Sequence, residues 1–249
     1  MSFLDAFWAE SMKVRHAVIF WISLAAACIF PILFALIAAG TIGTNMPVPV
    51  ESNLTWFTAQ LELLIAVGGL IGFGFVFSWI FGREYSDGTV TDLLALPVSR
   101  EHIVSAKLAV GAVWCGMLAV LVYGVGCLVI KLLHLDGVNL GAVVHSFWKY
   151  GFNTLMVISL SVPAAFIASI GRGYLSPLGF VILTIVIAQL SSIFGVDIYF
   201  PWAIPGLFSG AAGEATFAKL GMFNLILPFL MGLVGSVAVL IWWRYADHT

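Results

Sequence analysis

Six stretches of about 20 or more mostly apolar residues dominate this chain of 249 residues, at roughly 17–40, 59–81, 104–130, 150–170, 174–195 and 222–243. A helix that crosses a bilayer needs about 20 such residues. Lipid offers the backbone no hydrogen-bond partner, so a spanning segment must satisfy its own. The pattern predicts an all-α fold: a polytopic membrane protein with six transmembrane helices. Composition agrees. Charged residues make up 9% and hydrophobic residues 62%, with a mean hydropathy of +1.11, against about 25% charged in a soluble domain. A water-facing surface cannot be covered at that level. With 10 Lys and Arg and a net charge of −2, nucleic acid is excluded as a partner, because phosphate binding needs a basic surface. Cys28, Cys115 and Cys127 fall inside apolar runs without metal or redox spacing.

The basic residues set the expected orientation. With the N-terminus inside, Lys13, Arg15, Arg83, Arg100, Lys107, Arg172 and Arg244 fall on or near the cytoplasmic side, and Lys131, Lys149 and Lys219 outside. That bias predicts cytoplasmic N- and C-termini. The first 16 residues lack the layout of a cleaved signal peptide, so the first span is expected to stay. Connections are short and no internal repeat is visible, so residues 1–249 read as a single transmembrane domain.

Three segments outside the spans carry information. In residues 3–16, Phe3, Leu4, Phe7, Trp8 and Met12 recur at helical spacing, with Asp5, Glu10, Lys13 and Arg15 between them. This predicts an amphipathic helix lying in the interface. Residues 82–107 form the most charged segment. There Thr89 with Asp92 has the spacing of a helix N-terminal cap, Val90, Leu93 and Leu94 form a short apolar face, Pro97 stops it, and Ser99 is placed to cap the next helix. A short helix with apolar anchors and a polar rim suits a partner's groove. Residues 196–221 are too apolar for an aqueous loop and are broken by Pro201 and Pro205. Short re-entrant or surface-lying helices capping the outer face are expected there.

Catalytic chemistry is hard to find. Glu62 is the one clear ionisable residue inside a span, near the outer end of the second, and such residues are functional candidates by default. The five His are assigned to loops or termini, and His134, Asp136 and His145 to one outside loop with no metal spacing. No nucleophile has a base at membrane depth, and no GxxxxGK[ST] phosphate loop occurs. The chain is thus expected to hold no cofactor.

The loop carries a resemblance. Arg83-Glu84-Tyr85, Asp87-Gly88-Thr89, Leu93-Leu94, Pro97-Val98-Ser99-Arg100 and Ala106-Lys107 resemble, in order and position, the loop of ABC-2-type permeases, the six-span subunits of bacterial ABC exporters. The branch most similar is that of bacitracin and lantibiotic export and immunity permeases, which Phe200-Pro201-Trp202-Ala203-Ile204-Pro205 also resembles. The resemblance implies that residues 3–16 are an elbow helix and 196–221 an extracellular cap. Residues 82–103 would hold a coupling helix seated in a cleft of a separate ATP-binding subunit. Glu84, Tyr85, Asp87, Gly88, Thr89 and Arg100 would make its contacts, with Leu93 and Leu94 as apolar anchors. It further implies a dimer with a second permease copy or a paralogue, ATP and Mg held by the partner ATPase, and closure of the ATPase pulling on the loop. The site would be the bacterial cytoplasmic membrane with its lipids, and the cargo an amphipathic substrate such as a peptide antibiotic, a drug or a lipid-like molecule, moved outward. Two other readings remain open: a sensor or immunity subunit that binds an antibiotic without moving it, and an intramembrane enzyme of lipid or cell-wall metabolism.

Overall fold

Every described residue that belongs to a regular element is helical. The structure is a computed structural model that describes residues 3–38, 54–90, 98–132, 140–210 and 220–245. Helix α1 (Phe3–Arg15) is followed by α2 (Val18–Ala38). Helix α3 (Leu54–Leu64) runs through a π-helical turn, Ile65–Gly69, into α4 (Leu70–Ser86). Next come α5 (Arg100–Leu132), α6 (Leu140–Ser161), α7 (Pro163–Ile170) and α8 (Leu175–Ile193). Two 3-10 turns, Asp197–Tyr199 and Pro201–Ala203, lead into the short α9 (Ile204–Phe208), and α10 (Met222–Tyr245) closes the described chain.

Among the described residues five helices are long and apolar enough to cross a membrane: Phe57–Ser86, Arg100–Val129, Val143–Ile170, Leu175–Ile193 and Met222–Tyr245. A sixth is added when Phe3–Arg15 and Val18–Phe34, which meet at a 68° bend, are taken together. At 1.5 Å per residue, the 33 residues of α5 extend about 50 Å, well beyond a hydrocarbon core of about 30 Å. Helix α6 starts about ten residues earlier than expected. His145 therefore lies on a helix and not in a loop, and His102 likewise lies on α5. The early start of α6 brings the polar Lys149 within reach of a buried carboxylate (below), and α5 starts at a side-chain cap on Ser99.

Helices α4, α7 and α8 stop where the chain takes a left-handed residue. Helix α4 ends at Gly88, φ +69°, with the Thr89 N–H donating to the Glu84 carbonyl at 3.0 Å. Helix α8 ends the same way at Gly195, with Val196 N–H bonded to Ser191. The chain makes a tight hairpin at 171–173, where Arg172 and not a flanking glycine takes the left-handed conformation, φ 48°, and Gly173 N–H reaches the Ala168 carbonyl at 3.2 Å. These bonds satisfy carbonyls that a helix end otherwise leaves open.

The hairpin then docks on α4. A Cβ on Gly82 would come within 2.7 Å of the Gly173–Tyr174 backbone, so only glycine admits that approach. Ser78 Oγ donates to the Tyr174 carbonyl at 2.8 Å beside it. The core lies around α4 and the inner face of α5, with Phe57, Phe77, Phe81, Cys115, Val157 and Trp243 fully buried. Short turns of the 197–208 segment fold against one end, where Trp202, Ile204 and Phe208 are buried and Asn224 Nδ2 donates to the Ile198 carbonyl at 2.8 Å.

The π turn has a local cause and a partner. A wide turn displaces one carbonyl from the regular ladder, and the buried Asn153 on α6 donates from Nδ2 to the Glu62 carbonyl at 3.2 Å. Asn153 Oδ1 is buried without a hydrogen-bond partner.

Candidate coupling site

The 82–103 segment is anchored by a buried ion cluster. Lys107, on the second turn of α5, has no exposed surface. Its Nζ lies 2.8 Å from Glu84 Oε1 at the end of α4 and 2.9 Å from Glu10 Oε2 on α1, with the Ile80 carbonyl at 3.5 Å. Lys13 Nζ pairs with Glu10 Oε1 at 2.9 Å and Glu84 Oε1 at 3.1 Å. The second oxygen of Glu84 accepts from Thr89 Oγ1 at 2.7 Å. Two carboxylates and two ammoniums neutralise one another. Every carboxylate oxygen has a donor, the condition under which burial of charge is tolerated.

The cluster has a clear local origin. Gly88 turns the chain back so that Thr89 reaches Glu84 twice, by its N–H to the carbonyl and by its hydroxyl to the carboxylate. The run Glu84, Gly88, Thr89 is therefore a helix stop locked by a side chain. On α1 the buried residues are Ala6, Glu10 and Val14, while Leu4 and Trp8 point outward, 71% and 63% exposed. This reverses the simple picture of an amphipathic helix with its charges outward. Glu10 faces in because two ammoniums wait there, Phe7 packs against the core, and Leu4 and Trp8 face away from the protein.

The other end of the segment is fixed as well. Ser99 Oγ accepts from the His102 N–H at 3.3 Å, capping α5. Arg100 donates from Nη1 to the Trp243 carbonyl on α10 at 3.3 Å. The Trp243 ring is buried, donates from Nε1 to Ser169 Oγ at 2.9 Å, and meets the rings of Phe81 and Tyr85 edge-on at 6.2 and 6.1 Å. Arg244 pairs with Glu101 at 3.2 Å, both largely exposed.

The residues singled out from sequence thus separate. Glu84 is turned inward with both oxygens engaged, so it is a post for the loop and not a surface contact. Tyr85 is half-buried against Trp243. Asp87, Gly88 and Thr89 are exposed, with Asp87 Oδ2 held by Arg83 Nε at 3.0 Å. Arg100 is exposed and clasps α10. Leu93 and Leu94, with Asp92 and Pro97, lie outside the described residues. Sequence reasoning missed Glu10, Lys13 and Lys107 as one group, although a lysine seven residues beyond Arg100 in an apolar helix was a signal that a carboxylate stood opposite.

A second ion pair sits at the opposite end of the same helix. Glu62, 2% exposed, has Oε2 2.8 Å from Lys149 Nζ. Lys149 also donates to the Ser209 carbonyl at 3.3 Å and lies over the Phe208 ring. Glu62 and Glu84 are 22 residues apart, about 33 Å along a helix, close to the thickness of a hydrocarbon core. The two buried groups of charge thus stand about one hydrocarbon thickness apart along this helix. Beside the second pair a cavity of about 280 Å³ opens between Ala66 and Val67 of the π turn, Gln189 and Ser192 of α8, and Trp202.

Residues 6–191, well over half the chain, match the family described as ABC-2 family transporter protein. The chain belongs to the ABC-2 transporter family. The matched region holds the whole ion cluster and the Glu62–Lys149 pair and stops short of α10. This ABC-2 chain is also similar to the bacitracin transport permease protein BCRB of Bacillus licheniformis, with 24% identity over 159 residues, covering 63% of this chain and 74% of the relative. It is a multi-pass transmembrane subunit of an ABC transporter, of a family that works with an ABC ATP-binding partner.

Proposed function

We propose that this ABC-2 subunit exports an amphipathic substrate across the bacterial cytoplasmic membrane, as one of two permease chains driven by separate ATP-binding subunits. ATP and Mg belong to those subunits. The cargo class we infer is a peptide antibiotic, drug or lipid-like molecule, the first in line with the bacitracin transport named for the relative. Such a role gives the cell resistance to the exported compound.

The observation that carries this reading is the anchoring of the 82–103 segment at both ends. Glu84 and Thr89 tie its start to α1 and α5, and Arg100 ties its end to α10. A force applied by an ATPase to a loop held this way moves α1, α4, α5 and α10 together, not the loop alone. The exposed Asp87, Gly88 and Thr89 and the leucines at 93 and 94 are the surface such a subunit would grip. With the loop in the cytoplasm, both termini are cytoplasmic, α1 is an interfacial elbow whose aromatics meet lipid, and 196–208 caps the outer face. Helix α8 supports the dimer: it leaves Gln189 and Ser192 exposed, and polar side chains at membrane depth hydrogen-bond across helices.

The test is transport in proteoliposomes. With the ATP-binding subunit and ATP present, a labelled amphipathic peptide antibiotic is expected to move toward the face opposite that subunit. ATP-independent movement, or binding of the peptide without movement, contradicts the export reading.

A further inference from the structure

Beside the ion cluster two cavities lie end to end between the α1–α2 corner and α4. The first, about 380 Å³, is lined by Met12, Lys13, His16, Trp79 and Arg83. The second, about 390 Å³, is lined almost wholly by apolar atoms, among them Ile19, Phe30, Gly68, Gly72, Val76 and Leu118. They share walls. On the helix carrying the π turn, Arg83, Trp79, Val76, Gly72 and Gly68 follow one another at spacings of three and four, a single stripe down one face. On the other side Ala17 borders the first cavity, and Ile19 and Ser23 border the second. The indoles of Trp79 and Trp114, one in each wall, meet edge-on at 5.8 Å, and Trp114 Nε1 donates to Ser23 Oγ at 3.2 Å.

We propose that this two-part groove holds one anionic glycerophospholipid of the surrounding bilayer, its phosphate among Lys13, His16 and Arg83 and an acyl chain along Gly72 and Gly68.

Charge placement favours this occupant. The carboxylates of Glu10 and Glu84 have side chains only 7% exposed, whereas Lys13 and Arg83 are 39% and 38% exposed. The carboxylates of Glu10 and Glu84 thus lie beneath, while Lys13 and Arg83 reach the rim, Arg83 beside the exposed Asp87. Asp87 takes one of the five N–H donors of Arg83, whose guanidinium sits 5.0 Å over Trp79. A basic pocket with an indole at interface level, opening into an apolar slot, has the polarity sequence of a phospholipid. Hydrocarbon fills the slot, because an empty one forfeits the dispersion contacts of its lining. The lipid then spans α1, α2 and α4 beside the coupling segment, and links the elbow to the bilayer.

Native mass spectrometry of the purified full chain tests this, with phosphatidylglycerol and phosphatidylcholine of identical acyl chains as probes. Phosphatidylglycerol is expected to be retained about fivefold better, the factor that about 1 kcal/mol from one basic side chain, Arg83, gives, Lys13 being already paired with Glu10 and Glu84. Arg83→Gln is expected to remove that preference. Gly72→Leu, where an added Cβ meets nothing within 4 Å, is expected to lower retention of both lipids with unfolding temperature unchanged. Equal retention of the two lipids by the wild type, or retention indifferent to both substitutions, overturns the proposal. So does a Gly72→Leu chain that loses a second copy while keeping its lipid, since the groove then belongs to that copy. None of these readouts needs the ATP-binding subunit, so failure here leaves the transport reading standing.

Discussion

The Lys107 ammonium lies 2.8 Å from Oε1 of Glu84, and the pair, 23 residues apart in the chain, brackets the segment between α4 and α5. The pair closes that segment at its base. Glu10 and Lys13 then join the closure to α1, so α1, the end of α4 and the start of α5 share one electrostatic knot.

Breaking the knot from one side leaves unpaired buried charge. Lys107→Met leaves two buried carboxylates, Glu10 and Glu84, to share the single ammonium of Lys13, and is expected to cost about 3–5 kcal/mol, read as a large fall in unfolding temperature in detergent. Adding Glu10→Gln and Glu84→Gln to Lys107→Met is expected to restore much of the loss, because no buried carboxylate is then left unpaired and the Lys13 that remains has a side chain 39% exposed to water. Equal instability of the single and triple variants would place the damage in packing and not in charge.

The Gly88 backbone makes a separate demand. Its φ of +69° strains any L side chain, although an added Cβ meets nothing within 4 Å. Gly88→Ala is therefore expected to cost about 1–2 kcal/mol from conformation alone. Gly116→Ala, inside α5 with the same open space around it, is expected to gain about 0.5–1 kcal/mol. Thermal unfolding of the two variants side by side checks the sign of each.

At the far end, Lys149→Met is expected to be worse than Glu62→Gln. The first leaves a carboxylate with a side chain 3% exposed, while the second leaves an ammonium 33% exposed that water can reach. A difference of roughly 2 kcal/mol or more follows from the penalty for a buried unpaired charge. Limited proteolysis near residue 210 adds a local readout, since Lys149 also holds the Ser209 carbonyl.

Asp87 separates stability from coupling. Its pair with Arg83 is exposed on both sides, and such pairs contribute about 0–1 kcal/mol. Asp87→Lys is therefore expected to leave the unfolding temperature almost unchanged. Binding of the ATP-binding subunit is expected to weaken by roughly tenfold or more, as a reversed charge at a contact does. Titration of the purified subunit onto the variant measures it.

Much of the architecture was legible in the sequence because a bilayer enforces length and polarity so strictly. The apolar runs gave Val18–Ala38, Leu175–Ile193 and Met222–Tyr245 within a few residues. The start of α6 was misplaced because His145 and Lys149 look like loop residues until Glu62 is seen to receive Lys149. The site was legible as a loop but not as a mechanism. The resemblance places Glu84 among the contacts of the partner subunit, and nothing local reveals that Lys107, 23 positions on, and Lys13, 71 positions back, converge on it. Helical periodicity places Glu10 among the charged residues between the apolar ones of α1, because Lys107, the partner on α5 that draws it inward, lies outside any local window. The left-handed Arg172 was equally hidden, since flanking glycines made them the natural choice for the turn.

The central claim is that an ATP-binding subunit seats on the 82–103 segment. Co-purification of that subunit with the wild type and with a Leu93→Asp, Leu94→Asp variant, followed by ATPase assay in liposomes, tests it most directly. The account predicts a stable complex with substrate-stimulated ATPase for the wild type, and loss of both for a variant that still folds and inserts. A variant that keeps the full complex and full substrate stimulation would contradict it.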